Sequence, residues 1–424
     1  MNQRILSTNK SIVIIGGGVV GLCTAYYALQ KGHRVTILER GAADHDSCGA
    51  QNAGMIVPSH FVPLAAPGMV SLGLRMLLNP EGPFSIKPRL SWDLVDWCWK
   101  FWRACNATHV AHSAPLLRDL SLLSRKSFEE LSEIPDCEFG LVKKGLLMLC
   151  KTAHTLNDEA KLAENAKKLG VPADVLTPAQ TATLEPGIQM DIAGAVYFPQ
   201  DCHLNPGKFL AALTRTLEKC GAQINYGTDV TGWRSSGGRI DAVKTTRGEF
   251  SADEFVLACG SWSPQTVRDL KLSLPMQAGK GYSLTLPKPK QRPAICSILT
   301  EARVAVTPMG ESLRFAGTME ITGFDESINQ RRVNGILKSI PAYFPALSPS
   351  DFRDLPVWRG LRPCSPDGMP YVGRFKRYQN LCAATGHAML GLSLGPATGR
   401  VVSELLSDEK PSIEIGALSP DRYN

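Results

Sequence analysis

The stretch SIVIIGGGVVG, residues 11–21, sets four β-forming apolar residues directly before a glycine cluster, and the segment beyond it to position 31 suits a helix. It reads as strand, tight turn, helix. Gly16, Gly18 and Gly21 carry the spacing GxGxxG: the first makes the turn, the second lets backbone approach a pyrophosphate, and the third allows close helix packing. Ile15, Val19 and Val20 stand between and beside them and belong to the same cradle. A diphosphate is expected at the helix N-terminus, where unpaired N–H groups and the helix dipole favour anions.

The next strand decides between a dinucleotide site and chance. RVTILER, residues 34–40, is a second β-run ending in an acid, Glu39, close to the distance of about 20 residues beyond the glycines at which a carboxylate accepts from a ribose hydroxyl. The competing reading is a membrane helix, since residues 11–30 carry no charge over a bilayer-spanning length of about 20. Three consecutive glycines and the β-run with its acid speak against it.

A chain of 424 residues has room for two or three domains. With 44% hydrophobic and 20% charged residues the composition is that of an ordinary globular protein. The net charge of +7 is scattered, without a long basic block, so nucleic acid is not expected as a partner. It suits anionic cofactors, carboxylate substrates or an acidic membrane surface. The 12 cysteines form no CxxC pair and no metal-ligand spacing with histidine, which points to buried thiols, no metal and a reducing compartment. MNQRILSTNK at the N-terminus lacks the features of a signal peptide, so the expected location is cytoplasmic.

Further along, GAADHDSCGAQNAGMIVP (residues 41–58) reads as a loop in which Asn52, Ala53 and Gly54 bring backbone close to a ligand. Residues 61–106 hold Trp92, Trp97, Trp99 and Trp102, four of the seven tryptophans, with Phe101 and the basic Lys87, Arg89, Lys100 and Arg103. On a helix starting at Trp92, Val95, Trp99 and Trp102 share a face. Such a stripe suits a core or a membrane interface. QDCHLNP (200–206) leads into a helix with Asn205 as N-cap and proline at its first position. A strand over 223–230 reaches Val230, and another over 254–259 ends in a turn at Gly260. Between residues 274 and 324, GYSLTL, ARVAV and LRFAG alternate with turns as an antiparallel sheet, and 325–344 reads as a helix.

Four separated signatures together resemble the FAD-dependent amine and D-amino acid oxidoreductase family, which includes D-amino acid oxidase, glycine oxidase and the small subunits of D-amino acid dehydrogenases. They are GGGVVG with Glu39, LACGSWS (257–263), WRGLRPCSPDGMPYVG (358–373) and ATGHAMLGLSLGPATG (384–399). QNAGMIVPSHFVPLAAPG (51–68) and KGYSLTLP (280–287) are most similar to the bacterial dehydrogenases. The resemblance implies an α/β protein with a discontinuous Rossmann-like FAD-binding domain (1–85, 201–270, 360–424) and a mixed or antiparallel-sheet substrate domain (86–200, 271–359).

The resemblance also implies roles. Glu39 and Arg40 fall at the AMP-ribose end, Val230, Gly260 and Trp262 in the second flavin-binding stretch, and Gly386, Met389, Gly391 and Leu392 where backbone N–H groups face the flavin pyrimidine. Arg362 matches the residue that pairs with the substrate carboxylate, with Tyr282 a further substrate contact and His387 a catalytic candidate. The family's covalent cysteine aligns with Gly360, not Cys364, so noncovalent FAD is expected. The implied reaction is oxidative deamination of D-amino acids, with hydride passing from Cα to flavin N5. Electrons are expected to leave to a quinone rather than oxygen, and the tryptophan segment would rest peripherally on the inner face of the cell membrane. The alternatives are an oxidoreductase for secondary amines such as glycine, sarcosine, proline or D-hydroxyproline, and a noncatalytic FAD-stabilised binding or membrane-scaffold protein.

Overall fold

The opening strand, Ser11–Ile15, lies inside a six-stranded sheet. The order across that sheet is Tyr371–Arg374, Leu381–Thr385, Glu254–Leu257, Ser11–Ile15, Arg34–Leu38 and Gln223–Asn225. All neighbours run parallel except the antiparallel edge Tyr371–Arg374. A parallel sheet covered on both faces needs apolar residues at every position, and the two faces separate with period two. Ile12 and Ile14 pack among the helices Val19–Gln30, Pro206–Lys219 and Gly391–Leu406. Val13 and Ile15 pack on the other face with Ile240 and Val243 of a small three-stranded antiparallel sheet. This is a computed structural model, and it describes residues 9–44, 47–77, 79–89 and 91–424. The signal-peptide reading of the first residues lies outside them.

The helix beginning at Pro206 forms as its sequence requires: the Asn205 side chain accepts from the Lys208 N–H at 3.1 Å, and proline occupies the first turn, where no N–H is needed. The expected helix over 325–344 is shorter, Gln330–Tyr343, because the Asn329 side chain caps it at Arg331 and the preceding residues form a loop.

The second body is a nine-stranded mixed sheet. Its path runs from Trp358–Cys364 through Gln277–Leu286, Ser312–Ile321, Val304–Met309, Cys296–Leu299, Leu146–Cys150 and Gly194–Phe198 to Asp174–Leu176. The short strand Phe84–Ile86 pairs beside Ser312–Ile321. Two of the expected domain limits therefore fall inside strands of this sheet. Phe84–Ile86 and the whole of Trp358–Cys364 are hydrogen-bonded to it.

The tryptophan helix, Trp92–Ala104, is held by its inner face only. The Trp97 indole N–H donates to the Cys364 carbonyl at 2.8 Å, its ring stacks on Phe101, and Leu94 packs beside it. Val95, Trp99 and Trp102 do share a face, but that face points away from the core. No helix among the described residues is long and apolar enough to cross a membrane.

Candidate functional site

The glycine turn is as tight as its sequence demands. Gly16 has φ 110°, and a Cβ there would lie 2.4 Å from the Ala258 carbonyl oxygen; one on Gly21 would lie 2.0 Å from that of Gly16. Gly18, at the N-cap of the Val19–Gln30 helix, faces open space. That helix has no side-chain cap and no acid in its first turn, so its N–H groups and dipole are free for an anion. Glu39 is buried beside the turn, one oxygen accepting from Gly17 N–H and the other from Gly41 N–H, each at 2.7 Å. The Arg40 guanidinium lies 3.6 Å over the Trp262 ring, which stacks in turn on Phe324.

A second uncapped helix start stands at the far end. Gly386 (φ 80°) and the short turn Ala388–Leu390 lead into Gly391–Leu406, again without a side-chain cap or an acid. Met389 and Leu390 line a large cavity of about 580 Å³, and Asn52 and Ala53 line it from the loop after the second strand. Asn52 accepts from the Gly54 N–H and so shapes that loop. These cradles, a turn that only glycine fits and two helix starts without caps, suit a dinucleotide carrying a ring system. Val230 opens the first strand of the small sheet and packs at the edge of its core, while Gly260 (φ 55°) starts a short 3-10 turn that contains Trp262.

Arg362 reaches the same cavity from the edge strand of the large sheet. Its Nη1 donates to the Thr318 carbonyl at 2.6 Å. That carbonyl is turned inward by a bulge in the neighbouring pairing, where the register slips between Lys280 and Tyr282 and Thr318 takes φ 66°. The guanidinium can lie there because residue 281 is glycine: a Cβ would sit 2.1 Å from Nη2. Burial lowers the Arg362 pKa, with the Cys48 and Cys364 thiols acting the other way. Among the described residues no carboxylate pairs with it. A half-buried guanidinium on a cavity wall without a carboxylate partner suits an anion.

Tyr282 and His387 are differently placed. The Tyr282 ring lines the cavity, but its hydroxyl donates to Glu320 at 2.5 Å and accepts from the Asn329 N–H at 3.0 Å. Burial and then Glu320 push its pKa up, so it stays a phenol. His387 is buried away from the cavity lining, its Nε2 2.9 Å from the Thr398 hydroxyl of the C-terminal helix. Burial lowers its pKa to about 4, and the ring is neutral at neutral pH.

Several cavity residues carry no motif signal. Thr318 Oγ1 and the Trp358 indole N–H are buried beside Arg362's strand pairings and have no partner among the described residues. His60 also lines the cavity, held to the Ser59 hydroxyl at 2.9 Å, which in turn donates to buried Asp201. Gly281 could have been found, because a glycine within a strand marks close approach of another group. The bulge at Thr318 has a similar signal in the neighbouring Gly317, since a glycine within a strand also marks a bulge.

Comparison with known proteins agrees with this geometry. The FAD dependent oxidoreductase family model matches residues 11–405. A D-amino acid dehydrogenase of Granulibacter bethesdensis is 32% identical over 424 residues, covering 97% of this chain and 99% of that protein. One from Agrobacterium fabrum is 33% identical over 420 residues, covering 97% and 99%. Among solved structures, glycine oxidase from Geobacillus kaustophilus superposes with a TM-score of 0.78 at 24% identity, covering 98% of this chain and 99% of the other.

Proposed function

The chain belongs to the FAD dependent oxidoreductase family, and from that premise we propose that it is a D-amino acid dehydrogenase, oxidising the Cα–N bond to an imine that hydrolyses to a 2-oxo acid and ammonia. The family expectation, the D-amino acid oxidase-like fold and FAD as cofactor are all borne out. The observation that carries the substrate reading is Arg362, a half-buried cation without a carboxylate partner among the described residues, on the wall of a largely apolar cavity.

When bound, FAD supplies the two-electron acceptor for hydride from Cα. Glu39 and the Gly16–Gly18–Gly21 turn would hold its ribose and pyrophosphate, and the start of Gly391–Leu406 would face its ring. The chain does the rest by position. Arg362 takes the substrate carboxylate through two parallel hydrogen bonds and fixes its orientation. The Tyr282 ring and the apolar wall exclude water and bias the bound amine toward its neutral form, so no side chain is required as a base. N–H groups at the uncapped start of Gly391–Leu406 stabilise negative charge that builds up beside them during the transfer. Electrons then leave to a quinone or another acceptor other than oxygen.

The test is Arg362→Ala. Loss of a bidentate pair to a charged group, about 3 kcal/mol, lowers kcat/KM for D-amino acids about a hundredfold, mainly through KM, while the flavin spectrum is retained. Unchanged KM would remove Arg362 from the site. Anaerobic bleaching by D-amino acids but not by sarcosine or D-hydroxyproline separates this reading from a secondary-amine enzyme. The ratio of dye-dependent to oxygen-dependent turnover identifies the acceptor class, and absence of bleaching by any amine would favour a noncatalytic protein.

A further inference from the structure

The loop after the short strand Met55–Ile56 holds a chain of polar groups that the reaction described above does not use. Met55–Ile56 pairs antiparallel with Cys202–His203, Ile56 opposite Cys202, and this ribbon brings Ser59 against Asp201. Ser59 binds that carboxylate twice: its backbone N–H donates to Oδ1 at 3.1 Å and its hydroxyl to Oδ2 at 2.5 Å. The His60 Nδ1 lies 2.9 Å from the same hydroxyl oxygen. His60 lines the cavity that Arg362 reaches, and its Nε2 has no hydrogen-bond partner among the described residues.

A hydroxyl has one proton to give. While Ser59 donates it to the Asp201 carboxylate, the hydroxyl oxygen accepts from Nδ1–H, and Nε2 is left as a bare lone pair. With a proton on Asp201 the chain runs the other way: the acid donates to Ser59, Ser59 donates to Nδ1, and Nε2 carries the hydrogen. Asp201 is 1% exposed and has no ion pair among the described residues, and its side-chain hydrogen bonds there lead only through Ser59. Burial pushes its pKa up to about 7 against the two bonds from Ser59. Burial lowers that of His60 to about 4, so the ring passes a proton on rather than keeping it as a cation.

The groups around the pair leave this balance intact. Arg125, of the helix Ala107–Ser132, favours the Asp201 carboxylate but is bound to Glu129 at 3.1 Å and makes no ion pair with Asp201. Burial holds the Cys202 and Cys296 thiols protonated and the His203 ring neutral.

We propose that His60 is a catalytic proton acceptor: its Nε2 takes the proton that an ammonium substrate sheds in the cavity, and Ser59 relays the change to Asp201. The ammonium N–H bond breaks as Nε2–H forms, Nδ1–H passes to Ser59 Oγ, and the hydroxyl proton passes to Asp201 Oδ2. No electrons are exchanged and no imidazolium forms; an ammonium and a buried carboxylate become a neutral amine and a carboxylic acid. When product has left, water entering the cavity takes the proton from Nε2 and the chain returns to its first state. This role rests on the amine oxidation proposed above and adds the destination of the proton: the apolar wall favours its loss, and hydride transfer needs no base once it has gone.

The test follows the nitrogen NMR signals of holoprotein labelled at histidine, with His60→Gln identifying the His60 ring. The expected result is a neutral ring that changes from the Nδ1–H to the Nε2–H form as pH falls through about 7, a change absent from Ser59→Ala and Asp201→Asn. The same two variants and His60→Gln should slow anaerobic flavin reduction by D-amino acids about a hundredfold near pH 7. The loss should shrink as pH rises, because more of the substrate then arrives as neutral amine. A His60 ring that keeps one form through about pH 7 would overturn the relay, whether or not D-amino acids are oxidised. So would a rate loss of the same factor at every pH, which marks a structural role, or no loss at all. Failure of every D-amino acid to reduce the wild-type flavin, with the ring change present, would count against the amine oxidation alone.

Discussion

At position 281 the lack of a side chain is the condition for Arg362 to lie across its neighbouring strand. Gly281→Ala places a Cβ where Nη2 now sits, 2.1 Å away, and the guanidinium, as the end of a flexible side chain, is the part that gives. The expected outcome is a folded, yellow protein whose KM for D-amino acids rises about tenfold; an unchanged KM would mean that the guanidinium position does not set affinity. His387 needs a different measurement. Its pKa of about 4 lies below the value of about 6.5 for an unfolded chain, so the unfolded state binds the proton first as pH falls. Its contribution to stability is full above pH 6.5 and declines toward pH 4. His387→Gln should flatten the pH dependence of the urea midpoint in that window and leave the pH profile of flavin reduction unmoved. A shifted reduction profile would return His387 to the chemistry.

Elements position these residues through contacts that sequence periodicity does not reveal. The C-terminal residues fold back so that Arg422 makes two hydrogen bonds to Asp367, at 2.7 and 3.0 Å, and lies 3.8 Å over the Tyr371 ring. This clamps the turn at the end of the Arg362 strand. Burial pushes the Asp367 carboxyl up, but Arg422 more than offsets it and leaves the pKa below the usual carboxylate value. The pair's stabilisation is therefore present above about pH 4 and lost as pH falls further. Arg422→Ala leaves a buried carboxylate unpaired and should lower unfolding free energy by about 3 kcal/mol at neutral pH, read by urea denaturation, with a much smaller difference near pH 3. An equal loss at both values would assign the effect to packing over Tyr371. The helix at Pro206 was legible in the sequence, because its cap and first-turn proline act locally. The outward turn of Val95, Trp99 and Trp102 was not, because period alone gives the face and not what covers it.

Over the whole molecule, the legible part of the site is the part that binds a common cofactor. Gly16, Gly18, Gly21 and Glu39 carry the spacing that a pyrophosphate and a ribose demand, and those demands leave the same local spacing wherever they occur. The substrate end is assembled from an edge strand, a bulge and a loop: Arg362 and Thr318 are far apart in sequence and meet through sheet register, and His60 lines the same cavity from a loop. Resemblance to a family located Arg362, whereas Thr318, Trp358 and His60 needed the fold. The cofactor's place follows the same division, since its cradles come from both ends of the chain and the cavity wall belongs to the large sheet. FAD should thus act as a shared ligand of the two cradle helices and the large sheet. Binding only the folded state, FAD at about a hundred times its dissociation constant adds about 2.7 kcal/mol, so apoprotein should melt earlier and recover as FAD is added back. Gly21→Ala, whose Cβ would meet the Gly16 carbonyl, should melt like the apoprotein and gain little from added FAD. Acid precipitation of the holoprotein should leave the yellow colour in the supernatant, as a noncovalent cofactor requires. Colour retained in the pellet would mean a covalent bond, and added FAD could then not act as a reversible ligand.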